Sequence, residues 1–218
     1  MKPTAYIINL DRRPDRWETC QRVWSPYFEL MRIPAIDRPD NPALGCKLSH
    51  FRIASQAVLL STKMKPVIEM AIVLEDDSVP TPAFEQIGLK CIEDAGKHIN
   101  EWRIANLGPY LNVDCLGLGR ANLQATKSEY FLSASYCQQT HAMLYNERTI
   151  PLLQMALRSS LPLDVFIGRA VNDVWVPIHL LATQSDSPSD IPKPVCDAKA
   201  LYALSEKMLE DAVNKAKV

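Results

Sequence analysis

The chain opens with an apolar run, Ala5-Tyr6-Ile7-Ile8, ended by Asn9, and Pro14 and Asp15 follow where a first helical turn accepts them. The pattern predicts a strand over 5–9, a helix from 14 to about 27, and a second short strand over 28–33 stopped by Pro34. Residues 38–42 carry Pro39, Asp40 and Pro42 and read as a loop. From Cys46 to Leu60 there is no Gly or Pro and apolar residues return at helical spacing, so 46–60 is a predicted helix. Pro66 resets the chain. Residues 67–74 are then almost continuously apolar, with Glu69 the one charge, which is the mark of a strand buried on both faces.

Glu75, Asp76 and Asp77 come directly after that run, and Thr81 is placed to cap a helix starting near Pro82. Further strands are predicted over 103–107, closed by Gly108-Pro109, and over 130–136, 142–145 and 174–182. Helices are predicted over 148–159 and 163–170, and 112–127 reads as a polar loop. A Pro/Ser-rich connector, 185–194, leads to a last helix over 197–215 whose Leu201, Leu204, Met208 and Ala212 share one face. Alternating strands and helices, with no internal repeat, predict one α/β domain over 1–218.

Composition narrows the function classes. A hydrophobic content of 47% with 22% charged residues is that of ordinary globular proteins. Lys plus Arg number 24 against 25 Asp plus Glu, so a net charge of -1 gathers no polyanion and nucleic acid is excluded as an expected partner. A local basic cluster, Arg12, Arg13 and Arg16, can still serve a small anion. The first apolar run is too short for a signal-peptide core, and no stretch approaches the ~20 residues of a membrane span. A soluble, cytoplasmic chain is the expectation. Six cysteines lie far apart with no C-x-x-C pair, so reduced thiols are expected, with a Cys46–Cys137 disulfide as the alternative.

Three adjacent carboxylates repel one another unless a cation or basic partner neutralises them. A divalent ion such as Mg²⁺ or Mn²⁺ does so with hard oxygen ligands and completes its shell with water and phosphate oxygens. The cluster also follows a buried strand, and open α/β sheets bind ligands at the carboxyl ends of their strands. Two other readings stay open on the residues alone. The acidic residues can cap a helix and line a solvated turn, or they can be the acidic pair of a phosphoreceiver. The second expects its pair near the start of the domain and an Asp at the end of a later strand, whereas 74 residues precede Glu75 and the 103–107 strand ends without an Asp.

Several segments, taken in order, resemble glycosyltransferase family 25, the group with lipopolysaccharide-type and procollagen galactosyltransferases. They are Tyr6-Ile7-Ile8-Asn9-Leu10-Asp11-Arg12-Arg13 with Asp15-Arg16, Ile33-Pro34-Ala35-Ile36-Asp37, Gly45-Cys46 with Ser49-His50, Val73-Leu74-Glu75-Asp76-Asp77, and Thr140-His141-Ala142 with Tyr145. The resemblance spans about the first 190 residues. It implies a GT-A, Rossmann-like fold with a mixed, mostly parallel central sheet flanked by helices. It also divides the chain into a nucleotide-binding part (1–110), an acceptor and sugar part (111–184), a connector (185–196) and a C-terminal helix (197–218).

The implied activity is metal-dependent inverting transfer of a hexose, galactose or glucose, from a UDP-sugar to a glycan hydroxyl. Other glycan-synthesis domains are implied as partners. On this reading Glu75-Asp76-Asp77 is the counterpart of an Asp-x-Asp motif, with Glu in place of the first Asp. Asp77 is the expected Mn²⁺ or Mg²⁺ ligand, Asp76 is shared between metal and ribose, and Glu75 lies toward the ribose. Asn9 and Leu10 would meet the base, Arg13 or Arg16 a phosphate, and Asp37, Ser49 and His50 would line the nucleotide site. An inverting transfer also needs a base for the acceptor hydroxyl. Asp164, at the start of the 163–170 helix, is the candidate, with a plain N-cap as its alternative. His141 is expected near the sugar pocket and His179 to be structural. The rival function is a catalytically silent nucleotide-sugar-binding or glycan-binding module.

Overall fold

β1 (Thr4–Asn9) and β3 (Met70–Glu75) are buried on both faces because alternate side chains feed two separate cores. Ala5, Ile7, Ile72 and Leu74 join Cys20, Trp24, Ile92 and Trp102 on one side. Ile8, Ala71 and Val73 join Ile53, Leu152, Leu153 and Ile167 on the other. The continuous apolar run before Glu75 thus has a direct cause. The computed structural model describes residues 2–63, 70–114, 117, 119–185 and 197–216. The first residues of the strand expected over 67–74, most of the 185–194 connector, Cys115 and Cys196 lie outside the described residues.

The remaining elements are α1 (Pro14–Trp24), β2 (Glu29–Pro34), α2 (Pro42–Lys63), β4 (Ser78–Pro80), a π-turn over Phe84–Gly88 running into α3 (Leu89–Lys97), and β5 (Ile104–Asn106). After them come β6 (Leu123–Ala125), β7 (Phe131–Ala134), β8 (Ala142–Asn146), α4 (Thr149–Arg158), α5 (Leu163–Ala170), β9 (Val174–Pro177), β10 (Ala182–Gln184) and α6 (Ala198–Ala216). The chain is an α/β protein with an eight-stranded mixed sheet in the order β2-β1-β3-β8-β5-β9-β7-β6. β2, β1 and β3 form a parallel ladder, as do β5 and β9, while β8 runs antiparallel between β3 and β5.

Three of the differences from the sequence pattern have a clear local reason. α2 starts at Pro42 because proline fits the first helical position and the Asn41 side chain accepts the Leu44 N–H at 3.0 Å. An edge strand, β6, lies inside the expected 112–127 loop, paired to β7 by backbone bonds that composition does not encode. The run over 174–182 divides into β9 and β10. There Thr81 N–H bonds the Leu181 carbonyl at 3.1 Å, and the Thr81 hydroxyl bonds that of Leu180 at 2.5 Å, turning β10 out to pair with β4.

Among the described residues no single helix is long and apolar enough to cross a membrane. α4 and α5 pass together on length and composition, but they are bent by 118° and supply Leu152, Leu153, Ala156, Leu163 and Ile167 to the core. Lys47 on α2 is buried, and its ammonium donates to the carbonyls of Ala156 (3.2 Å), Ser159 (2.6 Å) and Leu161 (3.2 Å). A cation at a helix C-terminus satisfies carbonyls that the helix leaves open. This contact fixes α2 against the α4–α5 corner.

Gly108, just after β5, has no room for a side chain. A Cβ there would meet the Ala182 carbonyl and lie 2.5 Å from His141 Nε2. Gly108→Ala is expected to cost about 1–3 kcal/mol, the usual range for overpacking. A shift of the urea midpoint at unchanged slope would show it.

Candidate functional site

Parallel pairing of β1 with β3 sets Ile8 opposite Glu75, so the next residues on each strand, Asn9 and Asp76, leave the sheet side by side. Asn9 is buried and donates from Nδ2 to Asp76 Oδ2 at 2.7 Å and to the Arg13 carbonyl at 2.9 Å. Arg16, one turn into α1 and also buried, donates to Asp76 Oδ1 at 3.1 Å and comes within 3.9 Å of Asp77. Two residues of the first strand-helix unit therefore hold the acidic cluster. Burial pushes the Asp76 carboxyl up, Asn9 and Arg16 pull it down, and Glu75 adds to the rise.

The three carboxylates face different partners. Glu75 accepts from the Thr140 hydroxyl at 2.7 Å and lies 3.2 Å from His50 Nε2, while its N–H bonds the His141 carbonyl at 2.8 Å. Its burial raises the carboxyl, but His50 and Thr140 outweigh that and leave it below the usual range. Asp77 is buried, and the Gln184 side-chain amide reaches its two oxygens at 3.4 and 3.3 Å. The Asp77 carbonyl accepts Ser185 N–H at 2.7 Å, and Gln184 N–H donates to Tyr202 of α6 at 3.0 Å. β10 and, through Tyr202, α6 thus pack against Asp77.

Asp164 lies at the start of α5, partly buried. Its Oδ1 accepts Val165 N–H at 2.8 Å, and the Gln139 N–H also bonds the carboxylate. Burial raises this carboxyl, the two backbone donors lower it, and Glu75 raises it electrostatically. Gln139 has φ 76°, in the left-handed region. Asn106, at the end of β5, holds that turn through bonds from its amide to the Gln139 carbonyl (2.7 Å) and the Gln138 carbonyl (3.2 Å). One turn therefore offers an N–H to Asp164 and, at the next residue, a hydroxyl to Glu75.

The other residues named from the sequence divide between the acidic cluster's neighbours and the frame. His50 is fully buried on α2, with Nδ1 2.8 Å from the Tyr145 hydroxyl. Ser49 accepts Ile36 N–H and donates to the Gly45 carbonyl, both at 2.8 Å, which clamps the loop after β2 onto α2. Asp37 pairs with Arg12 at 3.1 Å at the surface, and Arg13 forks onto Asp15 at 3.1 and 3.0 Å. The Leu10 carbonyl accepts Arg13 N–H at 2.9 Å in the turn into α1. His141 is buried beside Gly108 and Tyr202, and His179 bonds Glu206 of α6 at 2.8 Å.

Cys20, Cys46, Cys91 and Cys137 are reduced thiols. Burial pushes Cys20 up to about 12, with Asp76 and Asp77 adding to the effect, and Cys137 likewise to about 12 despite its bond from Asn106. The residues that sequence reasoning passed over are Gln184, Gln139 and Asn106, none of which carried a signal; Cys46 was named only as a motif residue and a thiol, although it lies four residues before His50 on one helix face.

No protein-family model matches the chain, and no curated protein matches it. Among solved structures it is similar to the inositol-1-phosphate CTP transferase from T. maritima, at 16% identity and a TM-score of 0.44, over 93% of this chain and 76% of that one. That likeness is too distant to bear on function. The fold class rests on the sheet order, and no match supports the expected membership of glycosyltransferase family 25.

Proposed function

We propose that this chain is a metal-dependent inverting glycosyltransferase that moves a hexose, galactose or glucose, from a UDP-sugar to a hydroxyl of a glycan acceptor. The observation that carries the reading is the convergence of Asn9, Arg16, Asp76 and Asp77 at the carboxyl ends of two adjacent parallel strands, with Asp164 near enough to Glu75 to feel its charge. The charge balance suits a hard dication. The three carboxylates Glu75, Asp76 and Asp77 lie together with one guanidinium, that of Arg16, against Asp76 and Asp77.

Asp77 and Asp76 would hold Mn²⁺ or Mg²⁺. When bound, the cation stabilises the charge on the departing diphosphate. Asn9 and Arg16 fix the Asp76 carboxylate, so its orientation is set before a donor arrives. Asp164 accepts the acceptor hydroxyl's proton as that oxygen attacks the anomeric carbon. The new glycosidic bond forms as the bond to UDP breaks, and UDP leaves with the electron pair. A carboxyl raised by burial is a stronger base than an ordinary Asp. A cytoplasmic setting and neighbouring glycan-synthesis domains belong to the same proposal.

The test is a thermal-shift panel of UDP- and GDP-sugars with and without Mn²⁺, followed by assay of UDP release. Stabilisation by one UDP-hexose that depends on Mn²⁺, with turnover, is the expected result. A binding shift with no release of UDP from any donor, with or without glycan acceptors, would leave a silent binding module in its place. No shift for any donor would remove both.

A further inference from the structure

Beyond the acidic turn, Cys46 and His50 of α2 and Glu75 of β3 bring a sulfur, an imidazole nitrogen and a carboxylate oxygen within 4.8 Å of one another. Cys46 and His50 are one helical turn apart and present the same face, while Glu75 is the last residue of the strand beneath them. We propose that these three side chains form a site for a borderline divalent cation, Zn²⁺ being the natural one, chemically separate from the oxygen-ligand site at Asp76 and Asp77.

The donor set makes the distinction. Thiolate and imidazole select Zn²⁺ over Mg²⁺ or Mn²⁺, which prefer oxygen alone. Metal–ligand distances of about 2.0–2.3 Å put neighbouring ligand atoms of a tetrahedral site roughly 3.3–3.7 Å apart. His50 Nε2 and Glu75 Oε1 are 3.2 Å apart, already near that edge, and the Cys46 sulfur lies within 4.8 Å of both.

The surroundings are those of a supported ligand set. With Nε2 on the metal, His50 carries its proton on Nδ1 and donates it to the Tyr145 hydroxyl, 2.8 Å away and fully buried. Such an outer partner fixes the tautomer and the ring plane of a metal-binding histidine. The Thr140 hydroxyl bonds Glu75 at 2.7 Å and also reaches Cys46, so it holds two of the three ligands side by side. Burial and the charges of Glu75, Asp164 and Asp77 push the Cys46 thiol up, and a dication among the same charges reverses that penalty. Bound there, Zn²⁺ would tie the start of α2 to the end of β3 and engage Glu75 as a ligand, leaving Asp76 and Asp77 to the donor.

Co²⁺ added to the metal-stripped full chain is the direct probe, because a thiolate ligand gives a near-ultraviolet charge-transfer band and tetrahedral geometry gives intense visible bands. One equivalent of Co²⁺ is expected to develop both, and Zn²⁺ to bleach them. Cys46→Ser is expected to lose the charge-transfer band, and His50→Gln to weaken Co²⁺ binding at least about 10-fold while circular dichroism shows each variant folded. Asp77→Ala should keep the full spectrum, which separates this site from the one proposed for the donor. Cys137→Ser should keep it as well. Absence of the charge-transfer band in the unaltered chain, its survival in Cys46→Ser, or its loss in Asp77→Ala would overturn the proposal.

Discussion

Asp77→Ala is expected to remove the Mn²⁺-dependent part of UDP-sugar binding and to lower turnover by roughly 10³-fold, the scale of several kcal/mol of lost charge stabilisation. The fold should survive the change. Asp77 stands 3.9 Å from Arg16 and 3.3–3.4 Å from the Gln184 amide, contacts longer than the 2.7 Å bond that anchors Asp76 to Asn9. Removing one of three mutually repelling carboxylates also relieves the cluster, so the melting temperature without metal should hold or rise. A ligand present at 100 times its Kd stabilises by about 2.7 kcal/mol, so the vanished shift is easy to read. An unchanged Mn²⁺-dependent shift in the variant would show that Asp77 is not the ligand.

Asp164→Asn should separate function from stability. Loss of a general base costs about 10²–10⁴-fold in rate. The same substitution should raise the melting temperature at neutral pH, because the native carboxyl is held above its ordinary value by burial. A carboxyl raised in the folded state contributes stability that is fully present below 3.8 and lost as pH rises through the folded value. The advantage of Asn over Asp should therefore be largest at neutral pH and shrink as the solution is acidified toward 3.8, which paired melts across pH would display. An Asn variant that transfers sugar normally would refute the assignment of the base, and one that is less stable at neutral pH would refute the account of its burial.

Much of the frame was legible because it depends on local pattern. The apolar run before Glu75 announced a strand buried on both faces, and alternate residues of β3 do enter opposite cores. The segment from Cys46 announced its helix, although Pro42 read as a loop breaker and is in fact the first residue of α2. The neighbours of Asp76 were legible in part. Arg13 or Arg16 was named for a phosphate and Asn9 for the base, and both Arg16 and Asn9 do reach Asp76, a contact their spacing did not announce. What escaped were contacts between segments distant in the chain. Gln184 reaches Asp77 across 107 residues, and Lys47 meets three carbonyls more than 100 positions away. Neither follows from periodicity, since an isolated amide or ammonium carries no trace of its partner. The antiparallel insertion of β8 between β3 and β5 escaped for the same reason: strand order is set by packing of whole faces, not by any one strand's composition.

The turn at Gln139 and Thr140 has a mechanical consequence. Its Gln139 N–H is bonded to Asp164, its Gln139 carbonyl to Asn106, and its Thr140 hydroxyl to Glu75. The gap between the acidic strand end and the helix that carries Asp164 is therefore gauged by one short bracket anchored to the middle of the sheet, rather than by how two helices settle against each other. Slack in helix packing then falls outside that bracket, and the spacing of Glu75 from Asp164 is set by the turn alone.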